Sequence, residues 1–140
     1  MSRDRRAAPN VTPLSASAAL RHLEKANEYL RAAQHSLEAG DLDAAGGNAV
    51  LAGVNAADCV SGVVNANRWN GPHEQAAAHV KRSGEEGRAV AAQLAKLLRK
   101  KSQAHYEQTR LRPAEVADLV RAAERAIEVA ERAAARLKRS

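Results

Sequence analysis

Apolar positions recur along this chain at helical spacing. Leu23, Leu30 and Leu37 repeat every seven residues with Ala26 and Ala33 between them, a narrow stripe suited to antiparallel helix packing. This spacing predicts a first helix from about Ser15 or Ser17 to Ala39, with Gly40 as its C-cap. A second helix opens after Asp41, a good N-cap residue, with Asp43 in its first turn where the helix dipole is positive. Nearly every side of it is small or apolar, so it is expected at the centre of the fold. Asn48, Asn55, Asp58 and Asn65 are the exceptions and lie on one side. Gly46, Gly47, Gly53 and Gly62 each cost about 1 kcal/mol relative to Ala inside a helix, and close approach of neighbouring backbones is the expected compensation.

A short helix is predicted from about Pro72 to Arg82, and a fourth from about Glu85 to Tyr106 with Val90, Leu94, Leu97 and Leu98 inward. Pro113 opens a fifth helix, on which Val116, Val120, Ala123, Ile127, Ala130, Ala134 and Leu137 form one stripe. Strand-like alternation is absent from this reading. The predicted fold is all-α: an up-and-down bundle of about five helices, one of them short. Residues 1–14, with two prolines and no periodicity, read as a mobile basic arm; residues 15–140 read as one domain.

Composition sharpens the picture. The 140 residues hold no Phe, one Trp and two Tyr, so the core must be built from Ala, Leu and Val. Cys59, the single cysteine, excludes an internal disulfide and reads as a small core residue. No paired Cys/His spacing suggests zinc, and no cofactor is expected. The charge-free stretch 44–57 is too short and polar to span a bilayer, and the arginine-bearing N-terminus lacks the apolar core of a secretory signal. A soluble cytoplasmic protein with no membrane contact is the expectation.

Charge is uneven. Lys and Arg against Asp and Glu give +2 for residues 1–14, −3 for 15–64, +6 for 65–113 and +1 for 114–140. Clustered cations attract phosphate backbones, although a solvated helix face is the equally weighted alternative.

The basic part begins at NANRWNGPHEQA, residues 65–76. Asn67 and Arg68 are expected to end the second helix, with a turn at Trp69 to Gly71 and His73 and Glu74 in the first turn of the next helix. Free N–H groups at a helix start disfavour imidazolium and attract phosphate, while Glu74 pulls the imidazole the other way. Arg68 can clamp phosphate oxygens with both arms of its fork. Trp69 has two readings, a stacking platform for an RNA base or, preferred, a plug at the helix corner or a dimer interface. Lys101 is placed on the inward stripe, where it pairs with Asp58 or reaches the cleft. Asp58 and Asn55 could orient Arg68 or His73, but at 1.5 Å per residue Asp58 is roughly 15 Å from Arg68, so direct contact is not expected. Tyr106 reads as capping the core, and His22, His35, His79 and His105 as surface residues.

Arg68-Trp69-Asn70-Gly71-Pro72-His73 resembles the Arg-x4-His motif of HEPN domains, which are helical bundles. AVLAGVNAADCV before it, HEQAAAHVKR and LLRKKSQAHYE after it, and a last long helix extend the resemblance over about residues 17–135, as in an actinobacterial-type branch. The resemblance implies a metal-independent endoribonuclease working as a homodimer, its two Arg/His sets meeting in one cleft, and often a toxin held by an antitoxin protein. It assigns Arg68 to the scissile phosphate and His73 to attack by the ribose 2′-hydroxyl. Active members often carry a polar residue directly after the arginine. Here that residue is Trp69, and Asn70 is the substitute from the next position. A catalytically inactive module that binds nucleic acid or a protein partner is the alternative.

Overall fold

The computed structural model describes residues 10–107 and 110–139. Helix α1 (Ala16–Ala39) is followed by α2 (Leu42–Asn65), α3 (Ala76–Val80), α4 (Gly84–Glu107) and α5 (Pro113–Arg139). Over the described residues the fold is an all-α bundle of five helices, as the stripes predict, with one unpredicted addition. Strands β1 (Val11–Pro13) and β2 (Asn67–Trp69) pair antiparallel, Val11 opposite Trp69 and Thr12 opposite Arg68. Residues 10–14 are therefore part of the fold, whereas the rest of the expected arm lies outside the described residues.

Local chemistry fixes the helix ends. Ser15 accepts a hydrogen bond from the Ala18 amide, capping α1, and Gly40 closes that helix at φ 81°, the left-handed conformation that glycine adopts freely. Asp41 precedes α2 as expected, but its side chain makes no capping hydrogen bond. Glu115 caps α5 instead of a shorter residue: its Oε1 accepts from the Arg112 amide at 2.9 Å, the reach-back half of a capping box.

Helix α2 is the central element, packed against α1, α4 and α5. Ala19, Ala26 and Ala33 of α1 are fully buried, and their small size lets α1 lie close to α2. Gly62 shows what this requires, since a Cβ there would stand 2.7 Å from Ala19 Cβ and 2.6 Å from Leu14 Cδ2. Gly62 fits the expected close approach, whereas the space at Gly53 is filled by the Leu97 side chain rather than by a backbone, Gly46 has only ordinary contacts and Gly47 faces open space. Val90, Leu94, Leu97 and Leu98 of α4 and the predicted α5 stripe from Val116 to Ala134 complete the core. Cys59 is buried there, and burial pushes its thiol up to about 12. By length and composition α2 could cross a bilayer, yet 61% of its most apolar window is buried inside the bundle, as in a core helix.

Candidate functional site

The stretch 65–76 is neither a helix end nor a simple turn. Helix α2 stops at Asn65 because Ala66 adopts a left-handed φ of 56°, its amide bonding back to Gly62 O at 3.1 Å. Leu14 N then donates to Ala66 O at 2.8 Å, and the chain doubles back as β2. Along a strand, side chains alternate between faces. Asn67 and Trp69 go one way and Arg68 the other, and the two faces build two different polar clusters.

On the Arg68 face, Nη1 lies 3.7 Å from Asp58 Oδ2. The expectation of no direct contact is overturned: it assumed that α2 runs on through Arg68, whereas the reversal at Ala66 brings the guanidinium back. His22 joins from α1, its Nδ1 2.8 Å from Asn55 Oδ1 and 3.8 Å from Asp58 Oδ2. Asn55 Nδ2 donates to Leu51 O at 2.9 Å, so its Oδ1 is the acceptor and His22 Nδ1 carries the proton. The surface reading of His22 is thereby corrected.

Charge in this cluster is governed by desolvation. Asp58, nearly buried, is raised to about 7; burial is the main cause, and Arg68 and Lys25 pull it back only in part. Burial also lowers His22, against its hydrogen bond to Asn55 and with the help of Lys25 and Arg68. Arg68 keeps 35% of its side-chain surface exposed, and its Nη1 also donates to Trp69 O at 3.4 Å.

The opposite face is structural. Buried Ser61 donates to Asn67 Oδ1 at 2.6 Å, and His79 Nε2 lies 3.1 Å from the same oxygen and 3.3 Å from Ser61 Oγ. Trp69 packs on His79, ring centroids 5.5 Å apart, and its Nε1 donates to Pro72 O at 2.8 Å. The preferred reading of Trp69, a plug at the corner, fits this position. His79 is no free surface residue either, and burial lowers its pKa. Asn70 is tied down by its amide to Asn10 O at 2.8 Å and by its side chain to Thr12 Oγ1. Gly71 completes the corner, where a Cβ would meet Trp69 and Asn10 at 2.7 Å.

His73 opens a three-residue 3₁₀ turn, His73–Gln75, ahead of the five-residue α3. The expected helix from about Pro72 to Arg82 is reduced to this turn and the short α3, so the dipole available to bind an anion is small. His73 is exposed, and among the described residues no hydrogen bond or ion pair joins it to Arg68. Lys101 is corrected outright. It is exposed and lines a groove with Asp43, Gly47, Asn48 and Leu51 from the first half of α2, whereas Asp58 lies about two to four turns further along that helix. The side chains of His105 and Tyr106 lie outside those described, and His35 is exposed as expected.

The site therefore contains a guanidinium steadied by a buried carboxyl and, five positions on, an exposed imidazole on a braced turn. No protein-family model, curated protein or solved structure matches the chain.

Proposed function

We propose that this protein is a HEPN-type endoribonuclease that cleaves RNA without a metal, through Arg68 and His73 brought together from two copies of the chain. In the reaction, His73 of one copy removes the ribose 2′-hydroxyl proton, and the 2′-oxygen attacks phosphorus. The bond to the 5′-oxygen breaks, and His73 of the second copy supplies a proton to that leaving oxygen. Arg68 stabilises the charge developing on the non-bridging oxygens. The products are a 2′,3′-cyclic phosphate and a 5′-hydroxyl.

The observation that supports this reading most is the bracing of Arg68. A buried, desolvated Asp58 faces the guanidinium, and a β-pair, a tryptophan hydrogen bond and a tight glycine corner hold the connection that bears it. A connector alone requires none of these. A cytoplasmic toxin restrained by an antitoxin is the physiological setting the family resemblance suggests. The test is the chemistry of the ends: mass spectrometry of RNA incubated with the protein in excess chelator. Cyclic phosphate ends support the proposal, and intact RNA over pH 5 to 9 defeats it.

One observation favours the second reading, an inactive HEPN-like module. Trp69, the residue directly after Arg68, turns onto His79 and the side-chain amide of Asn70 donates to Thr12, so the position next to Arg68 supplies no polar group of its own toward it. RNA binding without cleavage would select that reading.

A further inference from the structure

A second cationic region lies away from Arg68, between α4 and α5. A groove of about 530 Å³ runs there, lined by Lys96, Arg99 and Lys100 from α4, by Arg121 and Arg125 from α5, and by Arg112 just before α5. Its two carboxylates are both engaged. Glu115 holds Lys100 at 2.9 Å and Arg112 at 3.4 Å, and Asp118 holds Arg121. The Arg112 amide, first, and the Lys100 ammonium, next, keep Glu115 down at about 2, so it remains an anion. Three groove cations, Lys96, Arg99 and Arg125, make no salt bridge among the described residues, and all three are exposed.

We infer that this groove binds the phosphate backbone of a single RNA strand, with Lys96, Arg99 and Arg125 as its phosphate contacts. The choice of RNA rests on the proposed ribonuclease reading. The contacts themselves rest on the groove. Lys96 and Arg99 are three apart on one helix, which sets them side by side, and Arg125 adds a third unpaired cation from the opposite wall. An arginine fork matches phosphate oxygens. Among the described residues the groove is lined by charged and aliphatic side chains, so these contacts grip phosphate and carry no base readout of their own. The charge distribution also selects among the cations of residues 96–112. Lys100 and Arg112 are committed to Glu115, and Lys101 and Arg110 line other grooves.

The test uses a short fluorescein-labelled 2′-O-methyl RNA, which lacks the attacking hydroxyl, and follows anisotropy between 50 and 300 mM salt. A single strand releases about 0.7 counterion per neutralised phosphate. The triple variant Lys96→Gln, Arg99→Gln, Arg125→Gln is therefore expected to reduce the log–log salt slope by about 2 and to weaken binding at least tenfold at 150 mM salt. Removing the same charge elsewhere, as Arg31→Gln, Arg88→Gln, Arg110→Gln, is expected to change affinity less than twofold. Circular dichroism checks that both variants fold. Equal losses in the two variants, an unchanged slope, equal competition by poly-glutamate, or no binding by the wild type would each overturn the groove. Cleavage of ordinary RNA that survives such a result leaves the ribonuclease proposal standing. Groove-dependent binding without cleavage by the wild type removes that proposal and keeps the groove.

Discussion

Arg68 and His73 lie five positions apart and in opposite surroundings. The guanidinium stands over a buried carboxyl, with His22 and Asn55 completing the cluster from two helices. The imidazole stands exposed at the start of a 3₁₀ turn. One partner of the proposed pair is placed by the fold; the other is placed only by the turn that carries it. The difference locates where a single copy is incomplete. On the proposed mechanism, the charge-stabilising group is set within one chain, whereas the proton-transfer group takes its orientation from a second copy or bound RNA. Asp58 strengthens the contrast, because its carboxyl is desolvated to a degree that opposes folding at neutral pH. That cost is tied, on the proposed mechanism, to the placing of Arg68.

Cleavage is where the two residues are expected to behave alike and stability where they part. His73→Ala and Arg68→Ala should each slow RNA cleavage by roughly 10²–10⁴-fold, the range for general acid–base groups and for charge stabilisation. His73→Ala should leave thermal unfolding within about 0.5 kcal/mol of wild type, as expected of an exposed side chain. Arg68→Ala should lower the melting temperature at pH 8, because Asp58 then loses its nearest counter-charge. Equal stability losses in the two variants would erase the contrast.

The next effect is a pH dependence. Folded Asp58 holds its proton up to about 7, while the unfolded carboxyl releases it near 3.8. Between these values the folded state binds more protons, so stability falls as pH rises through the window and is flat above it. Each tenfold step in proton affinity is worth about 1.4 kcal/mol, which caps the loss at about 4 kcal/mol. Asp58→Asn should abolish this fall and be the more stable protein at pH 8 in urea titrations. His22 acts in the opposite sense: its lowered folded pKa makes stability decline as pH drops below about 6.5, and that limb should survive in Asp58→Asn.

Smaller effects concern the bracing. Trp69→Ala removes a half-buried ring and the hydrogen bond to Pro72 O, and should cost about 2 kcal/mol in chemical denaturation, below the cost for a fully buried tryptophan. If its loss left both stability and cleavage untouched, the β-pair would have no part in setting Arg68. His22→Gln, which deletes the Nδ1–H bond to Asn55, should cost about 1 kcal/mol, the net worth of one part-buried hydrogen bond.

The bundle was legible in the sequence where long periodicities and punctuation agree. Ser15 and Gly40 bracket α1 within a residue of the expected ends, and Pro113 marks the start of α5. The site was legible as a list of residues but not as a geometry. Val11–Pro13 and Asn67–Trp69 are three-residue strands, too short for an alternation to register, and one contains a proline. The stop at Ala66 uses a left-handed alanine, a conformation that residue type does not announce. That hidden reversal brings Arg68 to Asp58, whereas His22 meets Asn55 across the packing of α1 on α2. Lys101 differs for another reason: the α4 stripe, continued one turn past Leu98, points it inward, but there the helix has left the core and the side chain is exposed.

The ribonuclease proposal is tested most directly by the cleavage rate of one RNA in excess chelator, measured side by side for wild type and His73→Ala at matched binding. Cleavage by the wild type is expected, with a rate at least 100-fold lower in the variant, whose fold and RNA affinity stay unchanged. Equal rates in the two proteins, or RNA left intact by the wild type, would contradict it.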